Sequence, residues 1–330
     1  MKYILVDAAN TFARASKVVR SGDPWMMLGM ALHITINSIN KAYTDFDGDH
    51  VIVCLEGKSW RKDFYKPYKY NRQLARSART QAEEELDEIL WTGFNDFIKM
   101  LDEKTNVTVI QNSIAEADDL IARFIATHPD DEHVIISSDS DFYQLINARV
   151  TQYNGVQHEH ITIDGIFNEY GKPVLDKKTK QQKTIGDPEW LLFEKCMRGD
   201  KSDNVFSAYP GVRTKGTKNK VGLQEAFGDR HTKGYSWNNL MLQRWTDADE
   251  QEHRVLDDYQ RNVTLIDLSA IPTDIRNTID TYLANAIQRK QNPMVGVVFM
   301  KFCGKYELNR AADQATTIVK WLSAAYPEAK

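Results

Sequence analysis

Residues 107–141 read VTVIQNSIAEADDLIARFIATHPDDEHVIISSDSD, and this stretch decides the fold. It opens and closes on short apolar runs, 107–111 and 133–137, rich in Val and Ile as buried parallel strands are. Between them Leu120, Ile121, Phe124 and Ile125 recur along one helical face. Strand, helix and strand in that order form a βαβ unit of a mostly parallel sheet. Working outward, residues 3–6 and 50–55 are runs of the same kind. The first half of the chain therefore predicts an α/β fold, a mostly parallel central sheet flanked by helices.

Beyond residue 150 the pattern changes. Residues 150–154 and 159–163 predict added strands in a hairpin, and the basic, apolar-poor stretch 171–183 an exposed loop. From residue 187 the chain reads mainly helical, punctuated at Pro210-Gly211, Gly216, Gly222 and Pro272. The expected division is an α/β core over 1–186, with a basic segment at about 57–90, and a mainly helical region over 187–330. In the last segment, 295–302 reads as strand-like and 317–325 as helical. These residues are expected to complete the core rather than to dock a polymerase or single-strand-binding protein.

The chain of 330 residues, 42% hydrophobic and 27% charged, is long enough for one large or two moderate cores. A net charge of −4 argues against a purely electrostatic nucleic-acid binder but allows a locally basic groove. The longest apolar stretch, around 25–32, is too short to span a bilayer, and the opening residues read as a strand instead of a leader. Cys54, Cys196 and Cys303 lack any paired spacing, so no disulfide framework or zinc site is expected. A soluble protein of a reducing compartment is the expectation.

The acids fall where the strands end. Asp7 closes the first run and Glu56 the second; Glu116, Asp118 and Asp119 open the helix after the third; Asp139 and Asp141 follow the fourth. In an open parallel sheet all these ends emerge on one edge, where ligands bind. Asp200 and Asp203, in Arg198-Gly-Asp-Lys-Ser-Asp-Asn204, have the spacing to join them. Crowded carboxylates raise one another's pKa and repel by roughly 1–4 kcal/mol per pair. Divalent cations relieve that conflict. With only hard oxygens in the set, Mg²⁺ or Mn²⁺ fits and Zn²⁺ does not. Two such ions serve in-line attack on phosphate esters, one acidifying the attacking water and the other stabilising the leaving oxygen. Taken singly, Asp7 reads as a helix cap, Glu116 to Asp119 as a complement to a helix dipole and Asp139 as a turn residue. Their joint placement is what points to a metal site.

Eight Lys or Arg and one acid, Asp63, lie between Lys58 and Arg79, interleaved with Trp60, Phe64, Tyr65, Tyr68 and Tyr70. Cations suit phosphates and aromatic faces suit unstacked bases, so this segment predicts binding of a single strand or strand end, with Arg61, Lys62, Tyr68, Lys69 and Arg72 its candidate contacts. A second cluster, Arg213, Lys215, Lys218 and Lys220, sits among glycines that would allow close approach to a duplex phosphate strand.

Five motifs occur in order: Leu5-Val-Asp7; Trp60-Arg-Lys-Asp-Phe64 with Tyr68-Lys-Tyr-Asn-Arg72; Glu116-Ala-Asp-Asp119; Ser137-Ser-Asp-Ser-Asp141; and Gly199-Asp-Lys-Ser-Asp-Asn-Val205. Over about residues 3–280 the chain resembles the flap endonuclease and 5′→3′ exonuclease superfamily, and within it the branch of tailed-phage ribonucleases H, which remove RNA primers. The resemblance implies a PIN-like nuclease core and a helical region with a helix-three-turn-helix element near residues 203–227. It implies that Asp7, Glu56, Glu116, Asp118, Asp119, Asp139, Asp141, Asp200 and Asp203 hold two Mg²⁺, with Mn²⁺ as a substitute. Lys69 and Arg72 match residues that engage the scissile phosphate, Asp139 belongs to the catalytic set, and Tyr68 matches an aromatic that stacks on a terminal base. It further implies a cytoplasmic monomer, in an infected bacterial host if phage-encoded, acting on RNA–DNA hybrids and on nicked or flap duplex DNA without a membrane. Two positions depart from the pattern. Glu56 stands where Asp is usual, and 211–227 lacks the usual Gly-x-Gly-x-Gly-x-Lys-Thr-Ala, which puts the accompanying monovalent-cation site in question. The rival readings are a PIN-type nuclease cutting single-stranded RNA and a structure-specific binding protein without catalysis.

Overall fold

The computed structural model describes residues 1–18 and 23–327. In chain order these form β1 (Lys2–Asp7), α1 (Ala8–Ser16), α2 (Pro24–Asp45), β2 (His50–Leu55), α3 (Arg61–Phe64), α4 (Tyr70–Ser77) and α5 (Gln81–Lys104). There follow β3 (Thr108–Gln111), α6 (Ala117–Thr127), β4 (Glu132–Ile136), a 3₁₀ turn (Ser140–Leu145), β5 (Val150–Asn154), β6 (Glu159–Thr162) and β7 (Gly165–Asn168). The remainder is α7 (Pro188–Arg198), α8 (Leu223–Gly228), α9 (Tyr235–Met241), β8 (Arg244–Thr246), β9 (Glu252–Arg254), α10 (Val255–Ile266), α11 (Thr273–Ala286), α12 (Val295–Lys305), α13 (Asn309–Asp313) and α14 (Ala315–Ser323).

Seven strands form one sheet in the order β3-β2-β1-β4-β5-β6-β7. The pairs from β3 to β5 are parallel, and β6 and β7 add an antiparallel meander. The predicted parallel sheet and the hairpin after residue 150 are both present. β7 is a strand that hydropathy did not signal, because only two of its four residues, Gly165 and Ile166, are buried. Helix starts follow local chemistry. Asp23 accepts from the backbone N–H of Trp25 and Met26 with Pro24 at the first turn of α2, and Thr80 and Glu83 form a reciprocal cap on α5.

The described residues divide into two compact units. One takes in the described residues of Met1–Ser59, Arg79–Ile185 and Asp274–Lys330; the other is Trp60–Ala78 with Gly186–Thr273. In the first unit Ile4, Val6, Val51, Val53, Val134 and Ile136 of the sheet share one core with α1, α2 and α5. Val295, Phe299, Phe302, Cys303, Ile318, Trp321 and Leu322 belong to that same core. The expected core role of the last segment is thus what the packing shows. The strand expected at 295–302 is instead α12. Its buried residues, Val295, Phe299, Phe302 and Cys303, recur at helical spacing, and this periodicity outweighs the β-branched run that suggested a strand. In the second unit one cluster joins Phe193, Met197, Leu223, Leu240 and Val255, and another joins Tyr68, Cys196, Val205 and Leu265. All three cysteines are buried, and none is in a disulfide.

Because Trp321 is fully buried in the sheet-bearing core, Trp321→Ala should lower unfolding stability by about 3–5 kcal/mol in urea titration. A loss below about 1 kcal/mol would show instead that α14 is a peripheral appendage.

Candidate metal centre

β1 is the hinge of the topology: the chain runs β1, β2, β3 to one side, then returns through α6 to place β4 on the other. The crevice at the carboxyl ends of β1 and β4 is therefore a topological switch point. Asp7 ends β1 there, with its backbone in register with Cys54 of β2. Glu56 follows β2 directly, and Asp139 and Asp141 open the turn after β4. Glu116, Asp118 and Asp119 form the start of α6. All seven sheet-edge acids lie in the first unit.

Asp7 is only 3% exposed. Its Oδ2 accepts from Ser137 Oγ at 2.9 Å, and its Oδ1 from the backbone N–H of Asn10 at 3.3 Å. Burial, reinforced by the charge of Glu56, nonetheless pushes its carboxyl up to about 7; the Ser137 and Asn10 hydrogen bonds pull the other way, and Asp139 adds a smaller upward push. Burial likewise raises the neighbouring Cys54 thiol well above its usual range, with Asp7 and Asp118 adding to it. No sulfur nucleophile is poised there.

Glu56 is brought to α6 by a close backbone approach. Gly57 N–H donates to Ala115 O at 2.9 Å and Lys58 N–H to Ser113 O at 3.0 Å. A Cβ at position 57 would lie 1.9 Å from Asn112 O, so only glycine fits. Glu56 Oε2 then accepts from the backbone N–H of Ala117 at 3.3 Å. Asp119 is fully buried and accepts from Glu116 N–H at 3.0 Å, so one of its oxygens serves the start of α6. Asp139 Oδ1 accepts from Asp141 N–H at 3.0 Å, while Asp139 N–H donates to Ser137 Oγ at 3.1 Å. Among the described residues, no three His, Cys, Asp or Glu side chains already converge tightly enough to cage an ion. The edge is a rim of hard oxygen donors, suited by chemistry to Mg²⁺ or Mn²⁺.

The other two predicted acids lie in the second unit, each held by partners there. Burial opposes ionisation of Asp200, yet Lys195 at 2.7 Å and Ser202, through both its N–H and Oγ, outweigh it and keep the carboxyl below the usual range. Gly199 ends α7 at φ 77°, and the Asp200–Val205 backbone pair folds the loop tightly behind it. Asp203 receives the basic segment. Tyr68 Oη donates to its Oδ2 at 3.0 Å, Lys69 Nζ lies 3.7 Å away, and Arg72 Nη2 donates to Oδ1. Backbone contacts reinforce the clasp: Lys69 N–H to Asp203 O at 2.8 Å, Asn71 Nδ2 to Lys201 O at 3.0 Å, and Asn204 Nδ2 to Pro67 O at 2.8 Å. Lys69 and Asn204 both have positive φ, at 56° and 57°; Asn tolerates that conformation readily, whereas for Lys it is uncommon.

The remaining basic residues separate by exposure. Lys62 is exposed, whereas Arg61 is 2% exposed, with Nε donating to Leu265 O and its guanidinium over the Trp60 ring. Arg61 therefore braces the interior of its unit, and Tyr68 is buried with its hydroxyl on Asp203. Charge and aromaticity in a sequence do not reveal which side of a short helix faces inward. Arg213, Lys215, Lys218 and Lys220 are all exposed on the loop between α7 and α8. That loop is anchored by Glu225, which accepts from the N–H groups of Gly216 and Gly222, and by Arg198, which donates to Val212 O and Thr214 Oγ1.

Ser137, Asn71 and Asn204 play parts that the sequence motifs contained but did not assign. Their signal is the recurrence of short polar residues beside each acid, legible only once the partners are known.

Known proteins resemble this chain along most of its length. Ribonuclease H of Enterobacteria phage T4 is 28% identical over 278 residues, 77% of each chain. Flap endonuclease Xni of Pseudoalteromonas translucida is 27% identical over 226 residues, 65% of this chain and 74% of that protein. DNA polymerase I of Rhizobium leguminosarum is 27% identical over 269 residues, 80% of this chain; the chain spans only about a fifth of that polymerase, 22% of its length. Among solved structures, the T5 D15 protein crystallised with metal ions shares the fold at a TM-score of 0.58 and 18% identity, covering 87% of this chain and all of that one. Residues 2–171 match the 5′-3′ exonuclease N-terminal, resolvase-like domain, and this chain belongs to that family.

Proposed function

We propose that this protein is a divalent-metal-dependent nuclease that hydrolyses phosphodiesters at 5′ ends, acting on RNA in RNA–DNA hybrids and on nicked or flap duplex DNA, as in primer removal during replication. The observation that carries the reading is the Asp7 carboxyl: buried at the end of the central strand, raised by burial and Glu56, and lined up with acids from the neighbouring strand ends. A buried carboxylate in like-charged company is unfavourable alone and favourable beside a divalent cation. The names of the relatives, ribonuclease H and flap endonuclease, support the same reading.

Asp7, Glu56, Glu116, Asp118, Asp119, Asp139 and Asp141, all of the first unit, would hold the ions. Magnesium or manganese bound there would activate the attacking water and neutralise the leaving oxygen. Ser137 keeps the oxygens of Asp7 and the backbone of Asp139 in fixed relation. Lys69 and Arg72 would neutralise charge on the phosphoryl oxygens, help worth a few kcal/mol in such sites. Both are held on Asp203, so engaging a phosphate means exchanging one oxyanion for another with little reorganisation of the segment. The exposed lysines and arginine of the loop between α7 and α8 would bind the duplex backbone, and Lys62 the strand end.

Three outcomes are expected. Asp139→Asn, assayed on a 5′-labelled hybrid in Mg²⁺, should lose at least a hundredfold in rate; near wild-type turnover would remove Asp139 from the site. Lys69→Ala should slow single-turnover cleavage more than it weakens binding, and the reverse would make Lys69 a docking charge only. The raised carboxyl of Asp7 gives the third. Folded protein without divalent ions retains a proton on Asp7 that the unfolded chain releases above pH about 4, so stability falls as pH rises from about 4 through about 7. In EDTA, Asp7→Asn should therefore raise the melting temperature at pH 8, change it little at pH 4, and remove most of the stabilisation that Mn²⁺ gives wild type. A lowered melting temperature at pH 8 would contradict the assignment.

A further inference from the structure

Gln152 occupies the middle of β5, in register with Ile135 of β4 on one side and Ile161 of β6 on the other. It is 1% exposed. A position inside a covered sheet ordinarily carries an apolar side chain, and burying a carboxamide is unfavourable unless its hydrogen bonds are made. Here Nε2 spends both hydrogens on one loop: it donates to Ser137 O at 2.9 Å and to Asp139 O at 2.8 Å. Its Oε1 is buried with no hydrogen-bond partner among the described residues. The side chain thus leaves one polar atom unsatisfied while pinning the two carbonyls that flank Ser138.

That loop connects the acids. Ser137 Oγ donates to Asp7 Oδ2 and accepts from Asp139 N–H, and Asn10 Oδ1 accepts from both the N–H and the Oγ of Ser138. A continuous chain of hydrogen bonds therefore runs from β5, through the turn after β4, to the end of β1. We infer that Gln152 is a positioning residue that fixes the separation of the Asp7 and Asp139 carboxylates and so sets the affinity of the site for a divalent ion. The inference rests on the proposed metal-dependent reading and names a residue outside the acid set. Without the clamp, mutually repelling carboxylates would settle further apart, and an ion would first have to gather them. Residues that orient metal ligands typically change affinity by about 10–100-fold when altered.

Gln152→Met keeps chain length and packing but donates no hydrogen bond. Val150→Ala, in the same strand and remote from the loop, serves as the control for simple destabilisation. Mn²⁺ binding to the full chain is read by electron paramagnetic resonance, which requires no turnover, alongside the Mn²⁺ concentration for half-maximal cleavage of a nicked hybrid. Gln152→Met should weaken Mn²⁺ binding about tenfold or more, with cleavage restored at saturating Mn²⁺ and KM for the oligonucleotide unchanged. Val150→Ala should lower the melting temperature and leave Mn²⁺ affinity as it is. If Gln152→Met does not fold, Gln152→Asn, one methylene short of both carbonyls, carries the same expectation. Wild-type Mn²⁺ affinity in a folded Gln152 variant overturns the inference while leaving the nuclease reading intact. A wild type that binds Mn²⁺ yet cleaves no nucleic acid, with the variant still weakened, upholds the role of Gln152 and overturns the nuclease reading. A wild type that takes up no Mn²⁺ overturns both.

Discussion

The arrangement of the first unit turns on one buried negative charge. Asp7 sits at the end of β1, the strand from which the sheet grows in both directions, and nearly all of its surface is removed from water. A carboxylate in such a place has three ways out: protonation, a hydrogen-bonded cage, or a cation. The protein supplies the second only in part, through Ser137 Oγ and Asn10 N–H, and then aggravates the problem with Glu56 and Asp139. Strain of this kind persists at sites where a ligand relieves it. The surrounding features follow from keeping the acid in place: Gly57 lets the backbone after β2 touch the start of α6, and the turn after β4 is tied to α1 and β5.

The second unit treats its acids in the opposite way. Asp200 and Asp203 are both neutralised by nearby cations and hydroxyls, and Asp203 is where the basic segment is gathered. Such a clasp holds flexible cationic side chains in one geometry in advance, which limits the entropy lost on meeting an anion. A Lys with a left-handed backbone at this junction indicates that the local conformation at Lys69 is imposed by its backbone and side-chain contacts to Asp203, not by intrinsic preference.

Much of this was legible in the sequence because strands buried on both faces announce themselves as unbroken Val and Ile runs, and because an acid one residue beyond such a run must sit on the sheet edge. β2 and β5 begin and end where hydropathy placed them. Other features were not legible, for identifiable reasons. Residues 295–302 carry both β-branched composition and helical spacing, and only packing against the sheet decides between them. Arg61 looks like its exposed neighbour Lys62 until the side of α3 that meets Leu265 is known. Gln152 is polar in the middle of a strand, and its amide is consumed by the carbonyls of Ser137 and Asp139, partners that only the pairing of β5 with β4 brings within reach. The second unit draws on two separate stretches, 60–78 and 186–273; the basic, aromatic composition of 58–79 marks the first, but nothing in it signals packing with residues more than a hundred positions away.

The proposed divalent-ion site would be formed by the sheet-edge acids and organised around Asp7. The most direct measurement is anomalous diffraction from crystals of this protein grown in Mn²⁺. A strong peak is expected about 2 Å from an Asp7 carboxylate oxygen, with Asp139 or a neighbouring acid completing the oxygen shell. A map with Mn²⁺ only elsewhere on the protein, and Asp7 still turned to Ser137 alone, would contradict it.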